Sequence, residues 1–299
     1  MVYLHDQTKL FSDVIVETAN RSSLPEAVVE KDYYVTMLLQ ELAQRLPFLV
    51  FKGGTSLSKC YKVIQRFSED IDLAVDEVLT QSGHRKLKDG IRAAVEALGL
   101  SIDNWAEIRS RRQFNRYVIS YPTVGYPSSL TSHIIIETPL MTLAAPVNIM
   151  PIESLLSGVL ADEAPQLLSK FALQTFSMKV QSMERTFVDK VFAVCDYYLC
   201  EQTDRHSRHL YDIAKMLPLI KCDDGFRKLI GEVRKIRLSM KYCPSAAVDR
   251  DISYILYEII RKSAYKADYD NVTRNLLGEA FPYAKAVAAL QEVADSGMF

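Results

Sequence analysis

The feature that most constrains the fold is a short apolar segment carrying two aspartates two positions apart. Asp70 and Asp72 flank Ile71, and the pattern predicts a mostly buried strand over 71–75. Side chains two positions apart on a strand project from the same face, so the two carboxylates can hold divalent metal together. A buried carboxylate without a partner is unfavourable, and a bound metal accounts for the pair.

A glycine turn and a hydroxyl-rich helix start come shortly before that strand. The chain reads Lys52, Gly53, Gly54, Thr55, Ser56 and Leu57, after a predicted strand at 46–51 and before a predicted helix at 57–65. Glycines allow close backbone approach, and free N–H groups at a helix start suit a phosphate. Each motif alone is weak, because most such turns are only turns. Their order along the chain favours one joint site.

Such a site indicates transfer chemistry on a nucleoside triphosphate. Metal held by Asp70 and Asp72 would activate the attacking hydroxyl, bridge the triphosphate and neutralise the leaving pyrophosphate. A third carboxylate is expected from a neighbouring strand, and Glu137, at the end of a predicted strand over 133–137, is the best residue for it. We therefore predict an α/β (α+β) fold of the DNA-polymerase-β-like nucleotidyltransferase type, with a mixed sheet and with Mg²⁺ or Mn²⁺ as cofactor.

Helix and strand patterns divide the chain into two parts. The first part mixes both kinds, with helices expected at 27–44 and 84–98, a strand at 114–121, and Ser23 as N-cap of the first of these helices. Beyond about residue 165 only helix-length patterns remain, at 184–201, 206–219, 223–240, 250–262 and 280–295. We predict a nucleotidyltransferase catalytic domain at 1–160 and a mainly helical domain at 161–299.

Overall composition excludes several classes of protein. Lys and Arg number 36 against 37 Asp and Glu, so any contact with nucleic acid needs a local basic patch. Two runs could supply one, Arg109 to Arg112, and Arg234, Lys235 and Arg237 with Lys241, although such runs are more often solvated faces. The five scattered cysteines are expected to be reduced and mostly in the core. No leader or membrane-length apolar run is seen, so we expect a cytoplasmic protein without membrane contact.

Two residues of the second part are ambiguous on local evidence. Lys190 lies on a predicted helix with an apolar face, where a lysine is commonly a surface or snorkelling residue. Asp212 could be an ordinary helix acid paired with Arg208 four positions earlier. Local chemistry leaves both alternatives open.

A family resemblance bears on these residues. The run from Phe51 to Leu57, followed by Arg66-Phe67-Ser68-Glu69-Asp70-Ile71-Asp72-Leu73, resembles the first two motifs of the AbiEii/AbiGii toxin nucleotidyltransferases, which include the MenT-like toxins. A lysine on a helix at Lys190, and an Arg-x-x-x-Asp pattern at Arg208 and Asp212, resemble the later motifs. The segment Glu30-Lys31-Asp32-Tyr33-Tyr34 resembles the lead-in helix of this family. The similarity spans about residues 25–215.

The resemblance implies a toxin of a toxin–antitoxin or phage-defence system. Such a toxin would transfer a nucleoside monophosphate from a triphosphate to RNA, expected at the 3′ acceptor end of tRNA, would block translation, and would have a cognate antitoxin. The resemblance makes Asp70 and Asp72 catalytic metal ligands, Ser56 a triphosphate contact, and Ser68 a residue that can meet the γ-phosphate. It makes Lys190 a charge partner of the triphosphate, with Asp212 holding that lysine, so that the helical domain completes the active site.

Two other functions are kept as alternatives. The same fold can transfer a nucleoside monophosphate or a phosphate to a protein hydroxyl. A catalytically silent protein can instead use the pocket to sense triphosphates and act through a partner, although such a protein has no need of two close carboxylates.

Overall fold

The protein is described here by a computed structural model that covers residues 2–66, 68, 70–126, 132–140 and 143–299. Phe67 and Glu69 of the second motif lie outside the described residues. Contacts divide the chain into two compact units, Met1–Cys60 with Glu69–Val180, and Tyr61–Ser68 with Gln181–Phe299. The second unit therefore begins at residue 181 rather than at the predicted 161, and it includes the segment 61–68.

The first unit is built on a mixed sheet. Its elements are α1 (Thr8–Ser22), α2 (Glu26–Arg45), β1 (Leu49–Lys52), α3 (Gly53–Lys59), β2 (Ile71–Val75), α4 (Gln81–Ala97), β3 (Ser101–Ile102), β4 (Phe114–Ser120), β5 (His133–Pro139), β6 (Val147–Ile152), α5 (Leu155–Glu163), α6 (Pro165–Lys170) and β7 (Phe176–Gln181). The strand order is β3-β4-β5-β2-β1-β7-β6. β1 runs antiparallel to β2 and parallel to β7, and β2 runs parallel to β5. This mixed α/β sheet confirms the predicted fold class.

One face of the sheet packs into the core. Ile71 of β2 is in register with Ile136 of β5, which is in register with Tyr117 of β4. All three are buried, so the row forms a continuous apolar layer across three strands. Because strand side chains alternate between faces, the neighbouring register row projects from the opposite face.

Helix α2 confirms the lead-in helix and corrects its predicted start. Tyr33 and Tyr34 are buried, and both pack edge-on to the ring of Phe11 or to each other. Ser23 is not the N-cap. It ends α1 in the left-handed conformation with φ 54°, and Pro25 occupies the N-cap position of α2. Ser23 is instead the C-cap of the preceding helix α1, which the sequence patterns did not predict.

The second unit is helical apart from short turns. Its helices are α7 (Met183–Leu199), α8 (Arg208–Met216), α9 (Asp224–Leu238), α10 (Ile252–Arg261), α11 (Lys266–Asp268), α12 (Arg274–Leu276) and α13 (Tyr283–Asp295), with a π-helical turn at Tyr269–Thr273. Ser182, Asp223 and Asp251 cap α7, α9 and α10 by accepting backbone N–H bonds. α13 packs against α8 and α10, and α8 also packs against α7. In the described part of the chain no helix is both long and apolar enough to cross a membrane.

Candidate functional site

A row of charged residues crosses the solvent-facing side of the sheet. Lys52 is in register with Asp72, Asp72 with Glu137, and Glu137 with Arg116. These four residues lie on β1, β2, β5 and β4 respectively, and register partners project from the same face. The structure therefore brings the predicted residues Lys52, Asp72 and Glu137 side by side, and it adds Arg116, for which no role was predicted.

The backbone of Gly53 lies directly against the Asp72 carboxylate. Gly53 has φ +80°, and a Cβ atom built on it would stand 2.0 Å from Asp72 Oδ2. Both the left-handed backbone and the lack of space require glycine at this position. The backbone of Gly53 therefore packs closely against the Asp72 carboxylate and leaves no room for a side chain.

The two hydroxyl residues of the turn are engaged locally. Thr55 Oγ1 donates to the carbonyl oxygen of Asp70 at 2.6 Å, which fixes α3 to the residue just before β2. Ser56 Oγ donates to the carbonyl oxygen of Gly53 at 2.9 Å and is fully buried. In this structure Thr55 and Ser56 hold the shape of the turn, and Gly54, which precedes them, is buried. Contact of these residues with a triphosphate remains a prediction.

The donor set suits a hard divalent cation. Asp70 and Asp72 are half-buried and offer carboxylate oxygens, and Mg²⁺ characteristically takes one or two carboxylates together with substrate phosphates and water. Among the described residues no three His, Cys, Asp or Glu side chains converge as a metal cluster. Glu137 is the register neighbour of Asp72, but its Oε1 lies 3.7 Å from Arg116 Nε. The two aspartates therefore fit Mg²⁺, and Glu137 as third ligand remains a prediction.

In the second unit, the structure brings together Lys190 and Asp212. Lys190 Nζ donates to Asp212 Oδ2 at 2.7 Å, and both side chains are almost completely buried. The alternative of a snorkelling surface lysine is therefore wrong. Asp212 does not pair with Arg208 as the local alternative proposed; its second partner is Arg66, whose Nε and Nη2 donate at 2.6 and 2.8 Å.

The buried ion pairs shift the pKa values of their members. Burial alone would raise the pKa of the Asp212 carboxyl, but Arg66 and Lys190 outweigh it and hold that pKa well below its ordinary value. Burial lowers the pKa of the Lys190 ammonium, an effect that Asp212 opposes and Arg66 reinforces. One carboxylate thus compensates two buried cations, so its removal would leave both without a counter-charge.

Ser68, the other predicted site residue, is half-buried and belongs to the segment of the second unit that also holds Arg66. That segment is positioned within its own unit by backbone contacts. The backbone N–H of Gln65 donates to Tyr211 Oη at 2.9 Å, and Gln65 accepts from the N–H of Gly278. The predicted helix over 57–65 ends at Lys59 for this reason, because the following residues pack as an extended segment.

The cysteines do not form a reactive site. All five are free thiols; Cys60 and Cys195 are buried, and the others are half-buried or exposed, so fewer lie in the core than predicted. Burial raises the pKa of Cys60 to about 12, which leaves it protonated at neutral pH.

The sheet, the paired aspartates and the glycine turn together define a nucleotidyltransferase. A family profile described as "Nucleotidyl transferase AbiEii toxin, Type IV TA system" matches residues 37–293. The chain therefore belongs to the AbiEii family of nucleotidyltransferase toxins.

Solved structures support the fold. Seven solved chains match, among them the MenT4 nucleotidyltransferase toxin of Mycobacterium tuberculosis H37Rv. That match has 18% sequence identity and a TM-score of 0.59, and it covers 94% of this chain and 87% of the other. A search of curated protein sequences gives no match.

We expect Gly53→Ala to damage the site and the fold together. The new methyl group would meet the Asp72 carboxylate, and the alanine would have to adopt a positive φ, at a combined expense of about 1–3 kcal/mol. Nucleotide transfer should fall sharply, and the denaturation midpoint should decrease. Gly231→Ala is the matched control, because it lies within α9 with no atom within 4 Å of the new Cβ. Equal activity and stability of the two variants would contradict the tight fit at Gly53.

Proposed function

We propose that this toxin transfers a nucleoside monophosphate from a triphosphate to the 3′ acceptor end of tRNA, in a reaction that depends on Mg²⁺, and so blocks translation. The observation that supports the proposal is the Asp70–Asp72 pair at the start of the central strand β2 in an AbiEii-family sheet. The resemblance to MenT-like toxins supplies tRNA as the acceptor. A cognate antitoxin is the expected partner, since the family is one of toxin–antitoxin systems.

Each site residue has a proposed role. Asp70 and Asp72 would hold Mg²⁺, which supplies charge neutralisation at the triphosphate and activation of the attacking hydroxyl. The backbone of Gly53 and Gly54 would approach the phosphates closely, and Lys52, one strand away from Asp72, would add positive charge beside them.

The remaining roles come from the family resemblance. Ser56 and Ser68 would contact the triphosphate, with Thr55 fixing the turn through Asp70. Lys190 would stabilise charge on the triphosphate, and Asp212 would orient the lysine through their 2.7 Å hydrogen bond.

A competing proposal keeps the fold but changes the acceptor to a protein hydroxyl. Parallel reactions with α-labelled and γ-labelled triphosphates, each given total tRNA and a protein extract, separate the two. Label from the α-position on RNA alone supports our proposal. Label on protein from either position would replace the RNA acceptor, and label on neither polymer would favour the triphosphate-sensing alternative.

The Lys190→Ala variant is expected to lose transfer while keeping its fold. Asp212 retains the bidentate pair with Arg66 in this variant, so the buried carboxylate keeps a counter-charge. We expect kcat to fall by about 10²-fold, in the range seen when one preorganised donor is removed from a transition state. Single-turnover kinetics and a thermal melt would measure both effects. A Lys190→Ala variant with unchanged turnover would assign Lys190 a structural role only.

A further inference from the structure

Positive charge is concentrated on one part of the first unit. Residues 85–116 contain eight Lys or Arg and only four Asp or Glu, in a chain whose total charge is close to zero. Six of these cations form what we call the cationic surface: Lys88, Arg92, Arg109, Arg111, Arg112 and Arg116. All are exposed except Lys88, which is half-buried.

Specific contacts hold this surface together. Lys88 Nζ and Arg92 Cζ lie 4.3 and 5.0 Å from the ring centre of Trp105, so these two cations of α4 pack against the same aromatic ring. Lys88 Nζ also donates to the carbonyl oxygen of Ile108 at 3.2 Å. These contacts tie α4 to the loop that carries the arginines.

Two asparagines clamp that loop to β4. Asn104 donates to the carbonyl oxygen of Arg116 at 2.7 Å and accepts from the N–H of Val118 at 3.0 Å. The buried Asn115 accepts from the N–H of Arg109 and donates to its carbonyl oxygen, at 3.1 and 3.0 Å. These hydrogen bonds preorganise the loop. A charged segment that is only solvated would be flexible instead.

The two arginines at the tip of the loop are not neutralised locally. In the described ranges of the chain, neither Arg111 nor Arg112 makes an ion pair, whereas Arg92 pairs with Glu96. In the second basic run, by contrast, Arg237 pairs with Asp189 and Asp196. Uncompensated guanidinium groups on a fixed loop suit phosphate oxygens.

The cationic surface is continuous with the row of charged residues on the sheet, because Arg116 belongs to both. Arg116 stands two strands from Asp72, with Glu137 between them, which is about 10 Å at the usual strand spacing. A polyanion lying along the arginine loop would thus reach the paired aspartates with its end. We propose that the cationic surface binds the phosphate backbone of the RNA acceptor and directs its 3′ end along the row towards Asp72. This inference rests on RNA being the acceptor.

The proposal can be tested without catalysis by measuring the affinity of the protein for fluorescently labelled tRNA. Salt concentrations from about 50 to 200 mM are suitable, because counterion release makes the affinity depend strongly on salt in this range. All variants carry Asp72→Asn, so that no transfer occurs. The double variant Arg111→Ala/Arg112→Ala should bind about tenfold or more weakly, and the slope of log K against log salt should fall by about 2. The control Lys221→Ala/Lys228→Ala removes the same charge from two exposed positions outside both basic runs and should bind as the parent does.

Each outcome decides the matter. Equal affinities and slopes for the two double variants would overturn the proposal. RNA binding that the arginine substitutions leave unchanged would also overturn it, and would indicate that an acidic protein, rather than RNA, binds the cationic surface. Absence of tRNA binding by the parent would overturn it together with the RNA acceptor. Wild-type protein that binds tRNA through the arginines but transfers nothing to it would refute the proposed function alone.

A separate observation concerns His209 on α8. Lys190 Nζ lies 3.3 Å from His209 Nδ1, and the His209 side chain is half-buried. An ammonium group only donates, so Nδ1 must be the accepting nitrogen and the ring proton must be on Nε2. The ring is parallel to those of Tyr197 and His206, at 5.9 and 6.0 Å between centroids. We infer that His209 is a positioning residue, which together with Asp212 fixes the direction of the Lys190 ammonium.

Two substitutions at His209 separate positioning from packing. His209→Asn keeps an acceptor near the place of Nδ1 but loses the parallel ring, whereas His209→Phe keeps a ring and loses the acceptor. Positioning predicts that kcat falls about tenfold or more in the Phe variant, with little change in KM, and much less in the Asn variant. Packing predicts the reverse order, and an activity order that follows the thermal stabilities would overturn the inference.

A readout independent of transfer is the labelling rate of Lys190 by an amine-reactive reagent, followed by mass spectrometry. A released lysine should be modified faster in the Phe variant than in the Asn variant. Equal rates in the two would overturn the inference even if the protein proved to have another activity.

Discussion

The Asp72→Asn variant is expected to fold like the wild type and to lose nucleotide transfer by about 10³-fold or more. Asparagine has the shape of aspartate, so the contact with the backbone of Gly53 is preserved. The substitution removes one of the two negative charges that hold Mg²⁺, and with it the stabilisation of the leaving pyrophosphate. Asp70→Asn should have a similar effect.

Initial rates of pyrophosphate release over a range of Mg²⁺ concentrations measure this loss. Asp162→Asn is the matched control, because it makes the same change at an exposed position on α5 and should keep full activity. An Asp72→Asn variant that remains active at every Mg²⁺ concentration would contradict the assignment of the metal site.

The Asp212→Asn variant is expected to be severely destabilised, by about 3–5 kcal/mol. The carboxylate is fully buried and is shared by Arg66 and Lys190, so its neutralisation leaves two buried cations uncompensated. Urea denaturation at pH 7 would measure the change in the free energy of unfolding. Glu258→Gln, which breaks surface pairs with the exposed Arg261 and Lys262, should leave the midpoint nearly unchanged.

The depressed pKa of the Asp212 carboxyl also predicts how the free energy of unfolding depends on pH. Because its pKa is held below the ordinary value of about 4, the stability that Asp212 contributes is complete above that value. It is lost as the pH falls further towards the depressed pKa of the folded state. The gap in unfolding free energy between wild type and Asp212→Asn should therefore narrow below pH 4 and be constant above about pH 5. A gap that is independent of pH would show that Asp212 is not the charged partner of the two cations.

Local sequence patterns predicted the elements that carry the first half of the site. Strand β2 begins and ends where alternation of apolar residues places it, and Gly99, with φ +67°, follows the end of α4 as expected of a helix-terminating glycine. The order of glycine turn and Asp-x-Asp strand was sufficient to indicate the nucleotidyltransferase class, because both motifs act through backbone geometry that short-range sequence determines.

Other elements could not be read from the sequence. β7 carries a mixture of polar and apolar residues between two helical regions, and it is a strand because it pairs with β1 in the sheet. β6 contains Pro151 and several exposed residues, as an edge strand permits, and so lacks a clear alternating pattern. For both strands tertiary pairing outweighs local propensity.

Two site residues, Arg66 and Arg116, were not predicted from the sequence. Arg66 and Asp212 are 146 positions apart, and no spacing rule connects them. Arg66 lies in the second family motif, but no role was predicted for it; its guanidinium binds the buried Asp212 carboxylate through two nitrogens. Arg116 was also missed, since its place beside Glu137 follows only from the strand register. Burial and register, rather than residue type, identify these partners.

The central claim is best tested by incubating the purified protein and its Asp72→Asn variant with Mg²⁺, each α-³²P-labelled nucleoside triphosphate in turn, and total tRNA that is either untreated or oxidised with periodate to block its 3′ terminus. The account predicts label on untreated tRNA from the wild type alone, and none on oxidised tRNA or with the variant. Label on oxidised tRNA would contradict transfer to the 3′ end, and label added by Asp72→Asn would contradict the role of the paired aspartates.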